Sequence, residues 1–201
     1  MSDLKPLYDQ RLARICMRPF ADTFLHPNVV TGLSLCLGLA SGLLFAIGEP
    51  SIQHLAALLF MLAVLVDHMD GELARLSGKT SQLGYYLDYI VGCTNYTILF
   101  CSLGVAMFRW TGSDEALLVG LAAGLANPII VVLRLWLERR FGSTAVEHPR
   151  NGGFEIEDFI YLIGPLTWFG GLSYFFWLYA LGTIGYLIWT LWELARWAWR
   201  E

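Results

Sequence analysis

Long apolar runs, each bounded by short polar segments, repeat along most of the chain. About 20 apolar residues in a helix cross the roughly 30 Å hydrocarbon core of a bilayer. Four runs are predicted as membrane spans, at about 29–47, 52–67, 83–108 and 115–137. The uncharged stretch 159–192 is too long for one ordinary span, and Gly170 and Gly171 near its middle predict two short helices joined by a tight turn. The pattern therefore predicts an all-α polytopic membrane protein with six transmembrane helices.

The segment before the first span differs, because apolar and basic residues alternate irregularly over 3–24. This mixture is typical of an amphipathic helix that lies on a membrane with its basic side toward the lipid headgroups. A partly ordered basic arm is the alternative interpretation. We expect a single domain over 1–201, in which an N-terminal interfacial helix within 1–26 precedes a six-helix bundle over 27–201.

The composition supports a membrane protein and excludes some functional classes. Of the 201 residues, 56% are hydrophobic and 15% are charged, whereas soluble domains average about 25% charged residues. The net charge of −4 argues against binding to nucleic acid, which requires a basic surface. The four cysteines are scattered in or near the predicted spans, so we expect free thiols rather than disulfides or a metal cluster.

Positive charges are concentrated on one predicted side of the membrane. Nearly all the lysines and arginines outside the spans fall on the side that carries both termini, and only Arg109 falls clearly on the other. The positive-inside rule assigns the crowded side to the cytoplasm. We therefore expect a multi-pass protein of a bacterial inner membrane, with both termini and the polar turn after the second span in the cytoplasm.

Three aspartates lie near the ends of the second and third spans, on either side of the polar segment 77–81. Asp67 and Asp70 share one helical face with Gly71, and Asp88 lies on the following helix. Ionised carboxylates beside apolar runs are costly and persist where a partner offsets the cost. Because Mg²⁺ and Mn²⁺ prefer carboxylate oxygens, the pattern predicts a helical hairpin with a metal site at Asp67, Asp70 and Asp88 and with room for a phosphate ligand.

The spacing of these residues also resembles a known signature. The chain reads Asp67-x2-Asp70-Gly71-x2-Ala74-Arg75-x8-Gly84-x3-Asp88, which is similar to the motif of the CDP-alcohol phosphotransferases. The resemblance implies a homodimeric membrane enzyme of phospholipid biosynthesis that moves a phosphatidyl or phosphoalcohol group from a CDP-linked donor to an acceptor alcohol and releases CMP. One substrate would be a lipid from the bilayer, and the other would be polar and enter from the cytoplasm. Three points stay open: which alcohol is the acceptor, whether the lipid is the CDP-linked donor or the acceptor, and whether the metal is Mg²⁺ or Mn²⁺.

The resemblance also implies roles for the small and basic residues of the motif. Gly71, Ala74 and Gly84 would leave space for the cytidine nucleotide against the helix backbone. Arg75 would pair with a diphosphate oxygen or hold an aspartate in place, and Lys79 would be either a second phosphate contact or a solvated charge. A buried network of salt bridges around Arg75 is the structural alternative for the aspartates.

The family motif ends with a fourth aspartate, four residues after the third, where this chain has Gly92. The resemblance implies that this aspartate, close to the catalytic Asp88, binds metal and acts as general base for the attacking hydroxyl. Three interpretations remain: another group supplies the base, the protein binds nucleotide or lipid without turnover, or the glycine is an inactivating substitution. The candidate replacement bases precede or begin the fifth span, at His148, Glu155, Glu157 and Asp158.

The remaining candidates have simpler explanations. The acidic residues of 155–158 would also interact favourably with the dipole at a helix N-terminus. Asn95 lies on the same helical face as the third aspartate and could ligate weakly, but an amide does not accept a proton at neutral pH. His54 falls on the opposite side of the membrane, and His68 points about 100° away from Asp67, so neither is predicted to be a catalyst.

Overall fold

The computed structural model describes the backbone of residues 8–142 and 156–198 and the side chains of residues 8–142 and 159–197. Every regular element within these ranges is helical, which confirms the all-α prediction. Two short 3-10 helices occupy Arg18–Phe20 and Ile156–Leu162. The α-helices are, in chain order, α1 (Tyr8–Met17), α2 (Pro27–Ile47), α3 (Gln53–Ser77), α4 (Gln82–Thr111), α5 (Asp114–Phe141), α6 (Ile163–Trp168) and α7 (Leu172–Ala198).

Five of these helices, α2 to α5 and α7, are long and apolar enough to cross a membrane. The first four correspond to the first four predicted spans, and each extends beyond its predicted bounds at one end or both. The largest difference is in α3, which continues to Ser77, because the polar residues after the apolar run still favour a helix. Gly78 then ends α3 with a φ of 67°, a left-handed conformation that glycine adopts without strain.

The N-terminal segment forms a shorter α-helix than the sequence predicts. The α1 helix covers Tyr8–Met17, and a 3-10 turn follows at Arg18–Phe20. Pro19 explains the change, because proline lacks the N–H that an α-helix requires and disfavours helical conformation in the residue before it. The helix packs against α3, with Ala13 fully buried. Its position at a membrane surface stays a prediction.

The uncharged C-terminal stretch divides at the predicted glycines. Gly170 has a φ of 76°, and the turn at Gly170 and Gly171 separates the apolar segment Phe159–Trp168 from α7. The expectation of two short helices is wrong, because α7 has 27 residues and continues past the end of the uncharged stretch. Phe159–Trp168 is too short for a span by length alone. The count of six spans therefore stays a prediction.

The first span, α2, joins the two helices that carry the aspartates. It packs extensively against both α3 and α4, whereas α3 and α4 touch each other directly at only a few positions. The predicted hairpin is therefore not a closely packed pair of helices. On its other side α4 packs along α5, which in turn contacts α7. This arrangement brings the start of α2, the end of α3 and the start of α4 together at one end of the bundle.

Candidate metal centre

The three aspartates predicted from the sequence meet at this end of the bundle. Asp67 and Asp70 lie in the last turns of α3, and Asp88 lies in the second turn of α4. The three side chains each offer a carboxylate oxygen, and these oxygens all lie within 4.8 Å of one another. Asp70 is buried, Asp67 is half-buried and Asp88 is exposed, so the cluster is open on the side of Asp88.

The first span supplies hydroxyl groups to two of these carboxylates. The hydroxyl of Thr31 donates a hydrogen bond to Asp70, and the hydroxyl of Ser34 lies 3.2 Å from Asp67 Oδ1. The motif itself predicts neither contact. A signal was present, because a stripe of small and hydroxyl residues on a membrane helix marks a face that packs against other helices. The stripe on α2 is buried and comprises Thr31, Ser34, Gly38, Ser41 and Gly42.

The donor set fits a divalent cation. Carboxylate and hydroxyl oxygens are hard ligands of the kind that Mg²⁺ and Mn²⁺ prefer. Three carboxylates within 4.8 Å of one another also repel, and a cation among them removes that repulsion. The guanidinium of Arg75, the arginine of the motif, forms its direct salt bridge with Glu72 rather than with one of these carboxylates. The geometry is therefore consistent with the predicted site at Asp67, Asp70 and Asp88.

Arg75 pairs with Glu72, one turn earlier on α3. Its Nη2 lies 2.6 Å from Glu72 Oε1, and its Nε donates to the same oxygen at 3.1 Å. The Glu72 side chain is largely buried, whereas that of Arg75 is more than half exposed. Glu72 is therefore the partner of Arg75 within the protein, where the motif predicts an aspartate or a diphosphate. The exposed side of the guanidinium leaves contact with a ligand possible.

The small residues of the motif have unequal surroundings. A Cβ placed on Gly84 would lie 3.1 Å from Ser81 Oγ and 3.2 Å from Asn28 Oδ1, so the start of α4 lies close to the start of α2 there. Gly71 and Ala74 are half-buried on α3. Their predicted role in leaving space for a nucleotide stays a prediction.

Lys79 contacts the protein backbone. Its Nζ donates hydrogen bonds to the carbonyl oxygens of Thr23 and Leu25, at 2.8 and 3.2 Å. The amine therefore holds the segment between α1 and α2 against the turn that follows α3. A phosphate contact would require the amine to share or leave these carbonyls.

Position 92 faces the aspartate cluster. A Cβ placed on Gly92 would lie 3.9 Å from Asp67 Oδ2, an ordinary van der Waals distance. A side chain at this position would therefore fit, and it would begin beside the carboxylates. Asn95, one turn further along α4, donates from Nδ2 to Ser34 Oγ at 3.0 Å. Its amide thus contacts the serine that reaches Asp67.

Comparison with known proteins assigns the chain to a family. The model of the family described as CDP-alcohol phosphatidyltransferase matches residues 24–197. The chain belongs to the CDP-alcohol phosphatidyltransferase family. The resemblance inferred from the motif is confirmed, and the chain is a multi-pass integral membrane protein.

Two curated relatives match about half of this chain. The chain is 32% identical over 109 residues to a CDP-diacylglycerol–serine O-phosphatidyltransferase of Mycobacterium leprae, over 54% of this chain and 34% of that protein. It is 29% identical over 111 residues to an archaetidylinositol phosphate synthase of Pyrococcus horikoshii, over 55% of this chain and 57% of that protein. These matches span less than two thirds of each relative's length.

The family fold is also found in a solved structure. The chain is similar to the phosphatidylinositol phosphate synthase of Mycobacterium tuberculosis with CDP-DAG bound, with a TM-score of 0.67 and 22% identity over 90% of this chain and 92% of that chain. A structure of the same enzyme in complex with manganese and citrate has a TM-score of 0.59 and 21% identity, over 92% and 88%. At these identities the similarity establishes the fold.

The remaining predicted residues have mixed outcomes. His148 and Glu155, and the side chains of Glu157 and Asp158, lie outside the described residues. His68, which is not predicted to be a catalyst, contacts other parts of the chain. Its Nδ1 lies 3.1 Å from Asp9 Oδ2 on α1 and 3.5 Å from the Tyr161 hydroxyl. His68 therefore joins α1 and the segment before α6 to the helix that carries the first two aspartates.

Proposed function

We propose that this protein transfers a phosphatidyl or phosphoalcohol group from a CDP-linked donor to an acceptor alcohol, with release of CMP. The observation that carries the proposal is the cluster of three carboxylates, with oxygens within 4.8 Å of one another, at one end of a membrane bundle of the CDP-alcohol phosphatidyltransferase family. In the reaction, the acceptor oxygen forms a bond to the donor's substituted phosphorus. The bond from that phosphorus to the CMP oxygen breaks, and CMP leaves with the electron pair.

Asp67, Asp70 and Asp88 would hold Mg²⁺ or Mn²⁺, which when bound neutralises negative charge on the diphosphate. The chain's own residues orient these carboxylates: Thr31 donates to Asp70, and Ser34 to Asp67. Gly71, Ala74, Gly84, Arg75 and Lys79 are our candidates for contact with the nucleotide and its phosphates.

The proton of the attacking hydroxyl requires an acceptor. Gly92 has no side chain that serves this role, although its position faces Asp67. Asp88, the most exposed of the three carboxylates, is one candidate. The other candidates are Glu155, Glu157 and Asp158, which follow α5 in the chain and precede the apolar segment Phe159–Trp168.

The substrates follow from the chemistry of the relatives. A solved relative holds CDP-DAG, and a curated relative is named for transfer to serine. We propose that one substrate of this protein is likewise a lipid from the bilayer and that the other is polar. From the distribution of lysine and arginine we propose a bacterial inner membrane, a cytoplasmic active site and cytoplasmic termini. A single domain and a homodimer complete the proposal.

A second candidate function is metal-dependent binding of nucleotide or lipid without turnover. Gly92 favours it, because the motif of the family has a carboxylate at this position. Binding without transfer would still use the same three aspartates.

The test is CMP release by the purified protein in detergent or liposomes, with Mg²⁺ or Mn²⁺ and with CDP-diacylglycerol or CDP-alcohol donors. A panel of acceptor alcohols is added, and wild type and Gly92→Asp are compared. Metal-dependent CMP release by wild type supports transfer and directs the search for the base to Asp88 and residues 155–158. CDP binding without CMP release by wild type, with release restored in Gly92→Asp, supports the binding function. Absence of both metal binding and CDP binding contradicts both functions.

A further inference from the structure

A buried polar chain leads from α4 through α2 to one carboxylate of the cluster. Asn95 Nδ2 donates to Ser34 Oγ at 3.0 Å. Ser34 Oγ lies 2.9 Å from the Ala63 carbonyl oxygen and 3.2 Å from Asp67 Oδ1, both on α3. Asn95 is 2% exposed and Ser34 is fully buried. Three helices are therefore joined through a single serine hydroxyl.

The direction of these hydrogen bonds is determined by what each group can donate. A serine hydroxyl has one hydrogen and two lone pairs. Because the amide of Asn95 donates to one lone pair, the hydroxyl hydrogen is left to face α3, where its acceptors are the Ala63 carbonyl and Asp67 Oδ1. Asn95 thereby orients the serine, whose single hydrogen is shared between the Ala63 carbonyl at 2.9 Å and the carboxylate of Asp67 at 3.2 Å.

Packing alone does not explain Asn95. Its Oδ1 is buried and has no hydrogen-bond partner among the described residues, an arrangement that costs free energy in an apolar environment. The chain also accommodates this side chain specifically, because a Cβ at Gly38 on α2 would overlap with the Asn95 amide oxygen. An apolar residue at position 95 would fill the same space without an unpaired polar atom.

The two oxygens of Asp67 have different neighbours. Oδ1 is the oxygen that Ser34 contacts, whereas Oδ2 lies 3.9 Å from the Cβ position of Gly92. The contact with Ser34 therefore fixes the carboxylate from the interior of the bundle and directs the other oxygen toward position 92. No side chain at position 92 shares this task.

We propose that Ser34 and Asn95 are positioning residues that orient Asp67 for metal binding, with Asn95 acting through Ser34. This inference rests on the proposed metal centre and extends it into α2 and the interior part of α4. Hydrogen-bond partners of metal ligands typically change metal affinity by about 10–100-fold when removed.

The test measures binding of Mn²⁺ alone to the purified protein, from the electron paramagnetic resonance signal of free Mn²⁺. Ser34→Ala is compared with Ser41→Ala, a matched control. Ser41 is also fully buried on α2, and its hydroxyl donates to a carbonyl of α3, that of Ala56, at 2.8 Å. We expect Mn²⁺ affinity about 10–100-fold weaker in Ser34→Ala and unchanged in Ser41→Ala. Unfolding temperatures without metal should fall in both, and further in Ser34→Ala, which also leaves the Asn95 amide without its acceptor.

The role of Asn95 is tested by Asn95→Ala and by the double variant with Ser34→Ala. We expect Asn95→Ala to weaken Mn²⁺ binding and the double variant to bind no more weakly than Ser34→Ala, because Asn95 acts through the serine. Asn95→Ala also provides the test if Ser34→Ala does not fold.

Three results would overturn the inference. Wild-type Mn²⁺ affinity in folded Ser34→Ala or Asn95→Ala would show that Asp67 needs no positioning. Equal weakening in Ser41→Ala would reduce the effect to helix packing. Failure of the wild type itself to bind Mn²⁺ would remove the metal centre together with this inference, whereas the first two results leave the metal centre intact.

Discussion

The two halves of α4 use glycine for opposite purposes. In the first half, a Cβ at Gly92 would lie 3.9 Å from Asp67 Oδ2, so the glycine leaves space beside the carboxylates. In the second half, a Cβ at Gly104 would lie 2.8 Å from the Ala116 carbonyl oxygen on α5. Gly120 on α5 is tighter still, with its Cβ position 2.6 Å from the Phe100 carbonyl oxygen. Glycine preserves an opening at one end and brings two backbones into contact at the other.

The difference reflects what holds helices together in lipid. Lipid chains are as apolar as leucine, so membrane helices associate through close packing of small residues and through hydrogen bonds. The α4–α5 contact brings two backbones together at Gly104 and Gly120. The α2–α3–α4 region combines close packing at Gly38 and Gly42 with hydrogen bonds between helices from Thr31, Ser34 and Asn95.

The largest expected effect comes from Asp88→Asn, at the end of the bundle that carries the three aspartates. It removes one of three anionic ligands at an exposed position, so we expect Mn²⁺ affinity to fall on the order of 100-fold or more, with little change in folding. Titration of free Mn²⁺ measures the loss, and CDP binding in the presence of metal should be lost with it. Asp114→Asn, in the first turn of α5, is the charge-matched control. Wild-type affinity in Asp88→Asn would remove Asp88 from the site.

At the contact between α4 and α5, Gly120→Ala places a Cβ where the backbone of α4 lies. We expect a loss of about 1–3 kcal/mol in unfolding free energy, because overpacking forces the helices apart. Gly182→Ala on α7 is the control, since its Cβ would meet no described atom within 4 Å. That change should be neutral or stabilise by up to about 1 kcal/mol, because alanine favours a helix. Equal effects in reversible unfolding would contradict the close contact.

Gly92→Asp adds a fourth carboxylate where the structure leaves room for it. We expect roughly tenfold tighter Mn²⁺ binding from the additional anionic ligand, and a lower unfolding temperature without metal from repulsion of Asp67. Gly92→Asn separates charge from size, because its side chain has a similar volume. Tightening by neither variant would mean that position 92 does not reach the metal, and equal tightening by both would mean that the added charge is not the cause.

The smallest expected effect is that of Lys79→Ala, outside the contrast between the two halves of α4. The lost hydrogen bonds to Thr23 and Leu25 are exposed or half-exposed, so we expect a loss of about 0.5–1 kcal/mol in stability. Mn²⁺ affinity should stay at its wild-type value, because the amine contacts the carbonyls of Thr23 and Leu25 rather than an aspartate. CDP affinity should fall modestly, because Lys79 is one of the proposed phosphate contacts but shares its amine with these carbonyls. Unchanged CDP affinity, measured by equilibrium binding, would remove Lys79 from the proposed phosphate contacts.

Local patterns in the sequence determine a large part of this molecule. The length and polarity of the apolar runs predict α2 to α5, because hydrocarbon thickness and helix rise set the same length for every span. The helical period places Asp67 and Asp70 on one face. The spacing of the motif identifies Asp88 as the third acid of the site and indicates the family. These inferences need only neighbours within a few turns.

Only the tertiary structure determines which helix faces which. Most faces of the spans are apolar, and lipid satisfies an apolar face as well as another helix does, so hydropathy does not identify the partners. The contact of Ser34 with Asp67, the pair of Asp9 with His68, and the pair of Arg134 Nη1 with Glu193 Oε2 at 2.9 Å each join residues far apart in the chain. The sequence therefore identifies the metal-binding acids, and the packing of α2 between their helices determines how they are held.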